Sequence, residues 1–414
     1  VIITLKKTRN INTIGFFLIL LLSCAGFSQV QLSGIKPSDI ITILLFFFLI
    51  VKNKIRLPFI GVIFIAIFFY GWVLGGLSDF KLLITNTIMF LIMFSLIDYL
   101  KKLPIKQVLS YLQYFNFSMF LSNLITLIVL ILLPSNVELI ADMSSGGIRL
   151  KGFFNQTNGY AFVLLLSFPI AVYFLSRQKS VFNIVNVIIF LISIILTQSR
   201  GVLYSLIIGF VVVYFIYLFR SKKIKRIIGP LILFFLALFG LFAFLPQFLQ
   251  QKFGINLSRF NSDTISNSER NLNSIRLEEL QGDRLYLVEA GLNTIAEYPF
   301  GLGYQPHHTI IGELTGVFLI PHNYFLSIML YYGVIIGLLW VVVVLYLIKK
   351  GLSKISKLQV GPNNILFYLV ILMISWFFFY LTHSSEWSFM YIIIAFYVAL
   401  LNRNKTNNET ISNR

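Results

Sequence analysis

Long apolar runs separated by short polar connections set the rhythm of this chain. They lie at Ile11–Phe27, Ser38–Val51, Leu57–Leu74, Leu82–Ile97, Phe115–Leu133, Gly159–Leu175, Val181–Leu196, Val202–Phe219, Ile227–Leu245, Asn323–Ile348, Ile365–Tyr380 and Trp387–Leu401. Most approach the ~20 residues that carry a helix across a hydrocarbon core of ~30 Å; the second, at 14 residues, is the shortest. The Ile, Val and Phe content would also suit strands, but a membrane strand needs a closed barrel and alternating polarity. These runs are continuous. The pattern predicts an all-α integral membrane protein of about twelve transmembrane helices, a single polytopic domain over residues 1–414 with no internal repeat.

The polar interruptions are unequal. Three are richer than the rest: Pro134–Asn158, the tight turn Thr197–Gly201 (TQSRG), and the large loop Pro246–His322. The last far exceeds the ~12–15 residues beyond which a structureless connection is uncommon. Inside it, Asp283–Tyr298 reads as a short helix, with Leu285, Val288, Leu292 and Ile295 on one apolar face and Glu289, Asn293 and Glu297 opposite. Asp283 suits its N-cap or first turn, and Pro299 ends the pattern. The following PFGLGY places Pro299, Gly301 and Gly303 where a turn of unusual backbone angles is expected. Then come His307-His308, read as loop residues, and Pro321-His322-Asn323 at the mouth of the tenth run.

Composition agrees with the pattern. Charged residues make up 12% of the chain, against roughly 25% in soluble proteins. The net charge of +18 invites a nucleic-acid reading until its distribution is followed. Assigning connections alternately to two sides puts 23 of the 33 basic residues on the side of the termini, with only two acids, Asp98 and Glu409. That is the positive-inside pattern of short loops. It predicts both termini in the cytoplasm and the large loop outside, and it removes the case for nucleic acid. Cys24, the single cysteine, allows no intramolecular disulfide or cysteine-based metal cluster. The basic N-terminus followed by an apolar run is expected to be a retained first helix, not a signal peptide.

Candidate chemistry sits on the outer side. The chain has no GxxxxGK[ST] loop, no HExxH, no Cys/His ligand cluster and no Asp-x-Asp pair, so neither a metal nor a nucleotide cofactor is expected. Arg200 reads either as a snorkelling interfacial residue or as a grip on an anionic headgroup, since guanidinium pairs bidentately with phosphate oxygens. Arg284 is either a partner of Glu279 or Asp283 or part of the same grip. Arg149 and Lys151 share this ambiguity. Together, Arg149, Arg200 and Arg284 in the three richest loops would suit a lipid-linked phosphate or pyrophosphate. His322 is either a hydrogen-bonded residue at a helix entrance or a proton acceptor poised near neutral pH. His307 and His308, being vicinal, make a poor chelate. His383 and Glu386 stand in the last outer turn, as interfacial residues or as part of the same cavity.

In four stretches, IRLKGFFNQTNGYA (148–161), ILTQSRG (195–201), GDRLYLVEAGLNTIAEYPFGLGY (282–304) and PHNYFLSIMLYYG (321–333), the chain resembles the family of O-antigen ligases and polysaccharide polymerases. The resemblance covers residues 148–345 closely; the earlier runs match in hydropathy alone. It implies a GT-C-like glycosyltransferase of the bacterial cytoplasmic membrane. Such an enzyme takes a glycan from an undecaprenyl-pyrophosphate carrier on the outer face, without nucleotide. By match, Arg200 and Arg284 would hold the pyrophosphate and His322 would assist the acceptor hydroxyl or orient the donor. Arg149, Asn158, Asn323 and Tyr304 would be supporting, substrate-binding residues. A chain-length regulator and a flippase are partners in keeping with this resemblance.

Ligases of the family tend to follow the His-Asn pair by nine residues, then Gly-x-x and Gly, Thr or Tyr. Here Gly333 is in place but Ile336 stands at the final position, which favours a polymerase of lipid-linked repeat units over a ligase acting on lipid A core or on protein. A transporter or flippase of lipid-linked sugars is the rival of another class. It would need polar residues deep in its spans and broken helices, and the runs contain few such residues.

Overall fold

The computed structural model describes residues 13–27, 30, 36–52, 54–55, 57–132, 139–144, 147–221, 284–316, 321–381, 383 and 389–403. The ninth predicted span, Ile227–Leu245, lies outside them, as do Glu279, Asp283 and Glu386. Fourteen α-helices occur among the described residues. The first eight are α1 (Thr13–Ser23), α2 (Pro37–Val51), α3 (Phe59–Leu74), α4 (Phe80–Lys102), α5 (Ile105–Leu132), α6 (Thr157–Arg177), α7 (Val181–Leu196) and α8 (Arg200–Ser221). After the undescribed stretch come α9 (Arg284–Glu297), α10 (His307–Thr315), α11 (Tyr324–Tyr332), α12 (Val334–Ser356), α13 (Ile365–Tyr380) and α14 (Phe389–Leu401). Helices therefore stand at eleven of the twelve predicted runs. Five of them, α4, α5, α6, α8 and α12, are long and apolar enough to cross a membrane. Six more are apolar and shorter, at 11 to 16 residues.

The tenth run departs from the single span expected of it. It breaks at Gly333, which has φ +89° and ψ 164°, leaving α11 as a nine-residue piece before α12. A Cβ added to Gly337 would come within 3.3 Å of Met329 Cα. Eight residues of straight helix would hold these positions ~12 Å apart, so the chain folds back sharply here. The break is possible because distant backbone fills it. The amides of Leu302 and Gly303 donate to the carbonyls of Leu330 and Tyr331 (2.6 and 3.1 Å), and the Val334 amide donates to the Pro299 carbonyl (2.9 Å). A broken helix at membrane depth persists only when its freed groups are satisfied in this way.

The PFGLGY segment is the plug. Gly301 (φ +93°) and Gly303 (φ +65°) take the left-handed backbone expected of them, and Gly303 lies directly on the α3 backbone at Gly71 and Gly75. The Tyr304 amide donates to the Gly71 carbonyl at 3.1 Å, and Tyr70 Oη donates to the Phe300 carbonyl at 2.9 Å. His307 and His308 are not loop residues; they open α10, with His307 buried against Tyr331 and His308 exposed.

The bundle sorts its ends. At one end, Arg403 donates to the carbonyls of Leu100 and Leu103, Lys350 to Asn402 Oδ1, and Ser176 to the Pro362 carbonyl. That end gathers the basic residues that close α4, α6, α8 and α12. The starts of α6 and α8 and the finish of α13 lie at the other end. Between the two, α6 and α13 form the core, and Gly209 of α8 crosses tightly over Ser375 of α13. Small residues at such crossings let helix backbones approach in lipid.

The interior is more polar than the sequence reading expected. Asn116, Ser118, Ser122, Asn123 and Thr126 of α5 are all buried, as are Asn186 and Ser193 of α7. Ser118 and Ser122 end α1 early by bonding the Ser23 carbonyl and both backbone groups of Gly26 (2.7–3.1 Å). Tyr160 Oη donates to Asn123 Oδ1 at 2.7 Å. The expectation of few polar residues deep in the spans is thus corrected. They were hard to see because they are scattered, alone or in the Ser122-Asn123 pair, within long apolar runs.

Candidate functional site

Four of the candidate loops meet at the end opposite the basic one. The polar connection Pro134–Asn158 contains a small hairpin, β1 (Ala141–Ser144) paired antiparallel with β2 (Gly147–Leu150). Its register sets Asp142 opposite Arg149. Asp142 accepts from the Thr157 hydroxyl at 2.7 Å and the Thr157 amide at 3.3 Å, and Lys151 Nζ lies 3.2 Å from its carboxylate. The hairpin is thereby pinned to the first turn of α6. Burial pushes the Asp142 carboxyl up, but the Thr157 hydroxyl and Lys151 together hold it below its ordinary value.

This pin has a pH signature. A carboxyl lowered on folding contributes stability above its unfolded value near 3.9, and that contribution is lost as pH falls through the folded value. Asp142→Asn is expected to lower the melting temperature at pH 7 and to remove the additional fall that the parent protein shows below about pH 4. Equal melting of the two proteins at pH 7 would show that the pin holds nothing.

Arg149 reaches from the hairpin to the second loop. Its Nε donates to the Thr197 carbonyl and its Nη2 to Asn158 Oδ1, both at 3.4 Å. Thr197, Gln198 and Ser199 are buried, and Gln198 adopts φ +52°. This strained, packed turn ends where α8 begins, so Arg200 is the first residue of a helix and not a turn residue; its side chain is exposed. The packing of Gly209 on Ser375 and of Tyr214 on Phe367 makes α8 antiparallel to α13. Followed back along α8, that register brings Arg200 level with the C-terminal end of α13, at Leu381.

The third element arrives at the same place. Asn323 caps α11, its Oδ1 accepting from the amides of Phe325 and Leu326 (3.0 and 3.1 Å), while its Nδ2 donates to the Leu381 carbonyl at 3.0 Å. Tyr324 stacks on Tyr380 at 4.0 Å between centroids, and Phe162 of α6 stacks on the other side of the group. His322, just outside this cap, is exposed. His383 is buried and stacked on Phe379 at 4.2 Å, within the same aromatic group.

Helix α9 is the fourth. A Cβ at Gly291 would meet the Pro321 ring at 2.5 Å, which sets α9 against the segment leading to His322. Its buried face is Leu287, Ala290, Thr294 and Ile295, while Leu292 is 50% exposed. The apolar face predicted through Leu285, Val288, Leu292 and Ile295 is therefore rotated, because α9 packs against both α10 and α11 and small residues take the contact. Arg284 is its first residue. Tyr304 sits apart from this group. It is buried beside α3, its hydroxyl 3.1 Å from that of Tyr332, at the far end of α11 and so ~13 Å along that helix from Asn323.

Beneath α11 lies a cavity of about 80 Å³ walled largely by aromatic and aliphatic side chains, among them Phe64, Phe90, Tyr324, Tyr331, Ile336 and Trp340, with Asn86 as its amide. Residues 185–341 match the family model described as O-antigen ligase. Over these residues the chain is similar to the O-antigen ligase family. The O-antigen ligase match runs from α7 into α12 and so encloses Arg200, Arg284, Tyr304, His322 and Asn323, whereas Arg149 and Asn158 precede it. No curated protein and no solved structure matches the chain.

Three of the residues read from the sequence thus share a structural position. Arg200 begins α8, Arg284 begins α9, and His322 stands immediately before the cap of α11. A cation at a helix N-terminus works against the helix dipole. The same place, with a guanidinium added, favours a bound phosphate. Asp142 and Thr197 were missed in the sequence. Asp142 lies seven residues before Arg149, and only the hairpin register makes them partners.

Proposed function

We propose that the protein is a polymerase that joins undecaprenyl-pyrophosphate-linked oligosaccharide repeat units on the outer face of the cytoplasmic membrane, building an O-antigen, capsular or exopolysaccharide chain. The observation that supports this reading best is that Arg200 and Arg284 each open a helix and His322 stands just before the Asn323 cap that bonds the finish of α13. In this reading both termini and the basic end face the cytoplasm, and the site faces outward.

The donor's pyrophosphate binds the guanidinium groups of Arg200 and Arg284. Their charge counts most as the bond between the anomeric carbon and the pyrophosphate breaks, because the leaving group then takes the electron pair. His322 accepts the proton of the acceptor hydroxyl as its oxygen bonds to that carbon. Arg149 and Asn158 act together by bracing the turn that presents Arg200. Asn323, whose amide is committed to α11 and Leu381, places His322; Tyr304 holds the α3 contact that keeps α11 in position. The aromatic cavity beneath α11 is suited to the first isoprene units of the carrier. The ligase reading keeps the support of the family model's description. Ile336, which departs from the ligase pattern, lines that cavity and favours the polymerase.

Reconstitution with a purified lipid-linked repeat unit separates the two. A ladder of longer glycans is the result expected of the polymerase. Product that forms only after lipid A core is added would make the protein a ligase, and movement of intact donor across the bilayer without product would make it a transporter.

A further inference from the structure

The basic end of the bundle holds a second amphiphilic feature, remote from the site. Between the last turns of α8 and α12 runs a groove of about 600 Å³ whose walls include Phe215, Phe219, Leu345 and Ile348, and whose head carries Arg220 and Lys349. A cleft of about 350 Å³ adjoins it on α12, with Lys350, Lys354 and Lys357 along its rim; Lys349 and Ser353 line both.

Five cations therefore crowd two connected clefts. Among the described residues, Lys350 and Lys354 reach only neutral acceptors, Asn402 Oδ1 and the Leu401 and Arg403 carbonyls. Among the described residues at this end, the acid Asp98 is already held by Lys102 at 2.7 Å. Cations in the last turn of a helix do suit its dipole, and basic residues here fit the charge asymmetry of the loops. Neither effect calls for a concave apolar slot ending under two of those cations. Phe215 and Phe219 are 64% and 61% exposed along it. An apolar trough whose positive mouth meets no acid among the described residues matches an anionic lipid: acyl chains in the trough and phosphate at the head.

We infer that the groove between α8 and α12 is a binding site for an anionic phospholipid of the surrounding bilayer, with its phosphate on Arg220 and Lys349 and an acyl chain against Phe215, Phe219 and Leu345. The inference stands on the membrane reading alone and is independent of the transfer chemistry. Ser353, beside Lys349, supplies a hydroxyl donor to the headgroup.

The test uses the full chain in detergent, with cardiolipin or phosphatidylcholine added at equal concentration and read by native mass spectrometry and thermal melting. Cardiolipin is expected to remain bound and raise the melting temperature, and phosphatidylcholine to do neither. At roughly 1 kcal/mol per basic residue near an anionic lipid surface, the double variant R220Q/K349Q should bind cardiolipin about thirtyfold more weakly. R220K/K349R should recover most of the binding, which guards against a general loss of fold, and K101Q should behave as the parent. Equal retention of both lipids would overturn the proposal, as would unchanged cardiolipin binding in R220Q/K349Q. Full displacement by inorganic pyrophosphate would also overturn it, by making the groove a site for free phosphate.

Discussion

Arg284→Ala, Arg200→Ala and His322→Ala should each lower glycan transfer by about 10²–10³-fold while leaving membrane insertion and melting temperature close to those of the parent. The magnitude is that of removing one preorganised charge stabiliser or one general base. All three residues stand at or just before helix N-termini. Arg200 and His322 are exposed, so truncating them removes little packing. Arg284→Lys should recover only part of the loss, because an ammonium is a point charge and cannot form the two parallel bonds that guanidinium makes to phosphate. If His322 takes the proton and the two arginines hold the donor, as proposed, the loss should fall on kcat more than on KM for His322 and on both for the arginines. Initial rates in proteoliposomes, with the variant's insertion checked by protease protection, measure it. Full activity in any one variant would remove that residue from the site.

Gly333→Val is the second large effect, and it acts through the fold. Its φ of +89° and ψ of 164° belong to a region that is essentially glycine's alone, where a side chain costs about 1–3 kcal/mol in backbone strain. Space adds to this. A Cβ there would meet the Phe300 carbonyl carbon and oxygen at 2.8 Å and the Pro299 oxygen at 2.9 Å, all of them backbone and unable to swing away. The PFGLGY plug would be pushed from the break, leaving the Leu330 and Tyr331 carbonyls without the amides that now satisfy them. Each buried polar group so orphaned costs roughly 1–3 kcal/mol more. We expect poor yield and a melting temperature lowered by many degrees. Gly159→Ala, where an added Cβ meets nothing within 4 Å, is the control and should melt like the parent. A stable Gly333→Val protein would mean that α11 and α12 can join without the plug.

These two cases also show what the chain gives away in one dimension. The apolar runs were legible because span length and continuity are local properties, and helices stand at every run among the described residues. The break at Gly333 was not, since a lone glycine in an apolar run is ordinary and its partners are amides some thirty residues upstream. The Gly301 and Gly303 conformations could be anticipated from the turn chemistry of PFGLGY; that the turn plugs a helix break depends on α3 and could not. The hairpin was hidden by its four-residue strands. For α9, the polar face was read correctly while the apolar face was misphased, because Gly291 against Pro321 and Ala290 in the interface let small residues, not Leu292, take the contact. Of the site, the isolated arginines on the acid-leaning side were visible as charges. The link from Arg149 to Thr197 was not, because a main-chain carbonyl leaves no mark in a sequence.

The central claim is that a lipid pyrophosphate leaves as each glycosidic bond forms. Mass spectrometry of proteoliposomes charged only with purified lipid-linked repeat unit can count both products. The account predicts one undecaprenyl pyrophosphate released per bond formed, undiminished by chelator and needing no nucleotide, and none released by Arg284→Ala. Glycan growth that requires an added nucleotide-sugar, or that proceeds while the carrier keeps its glycan, would contradict it.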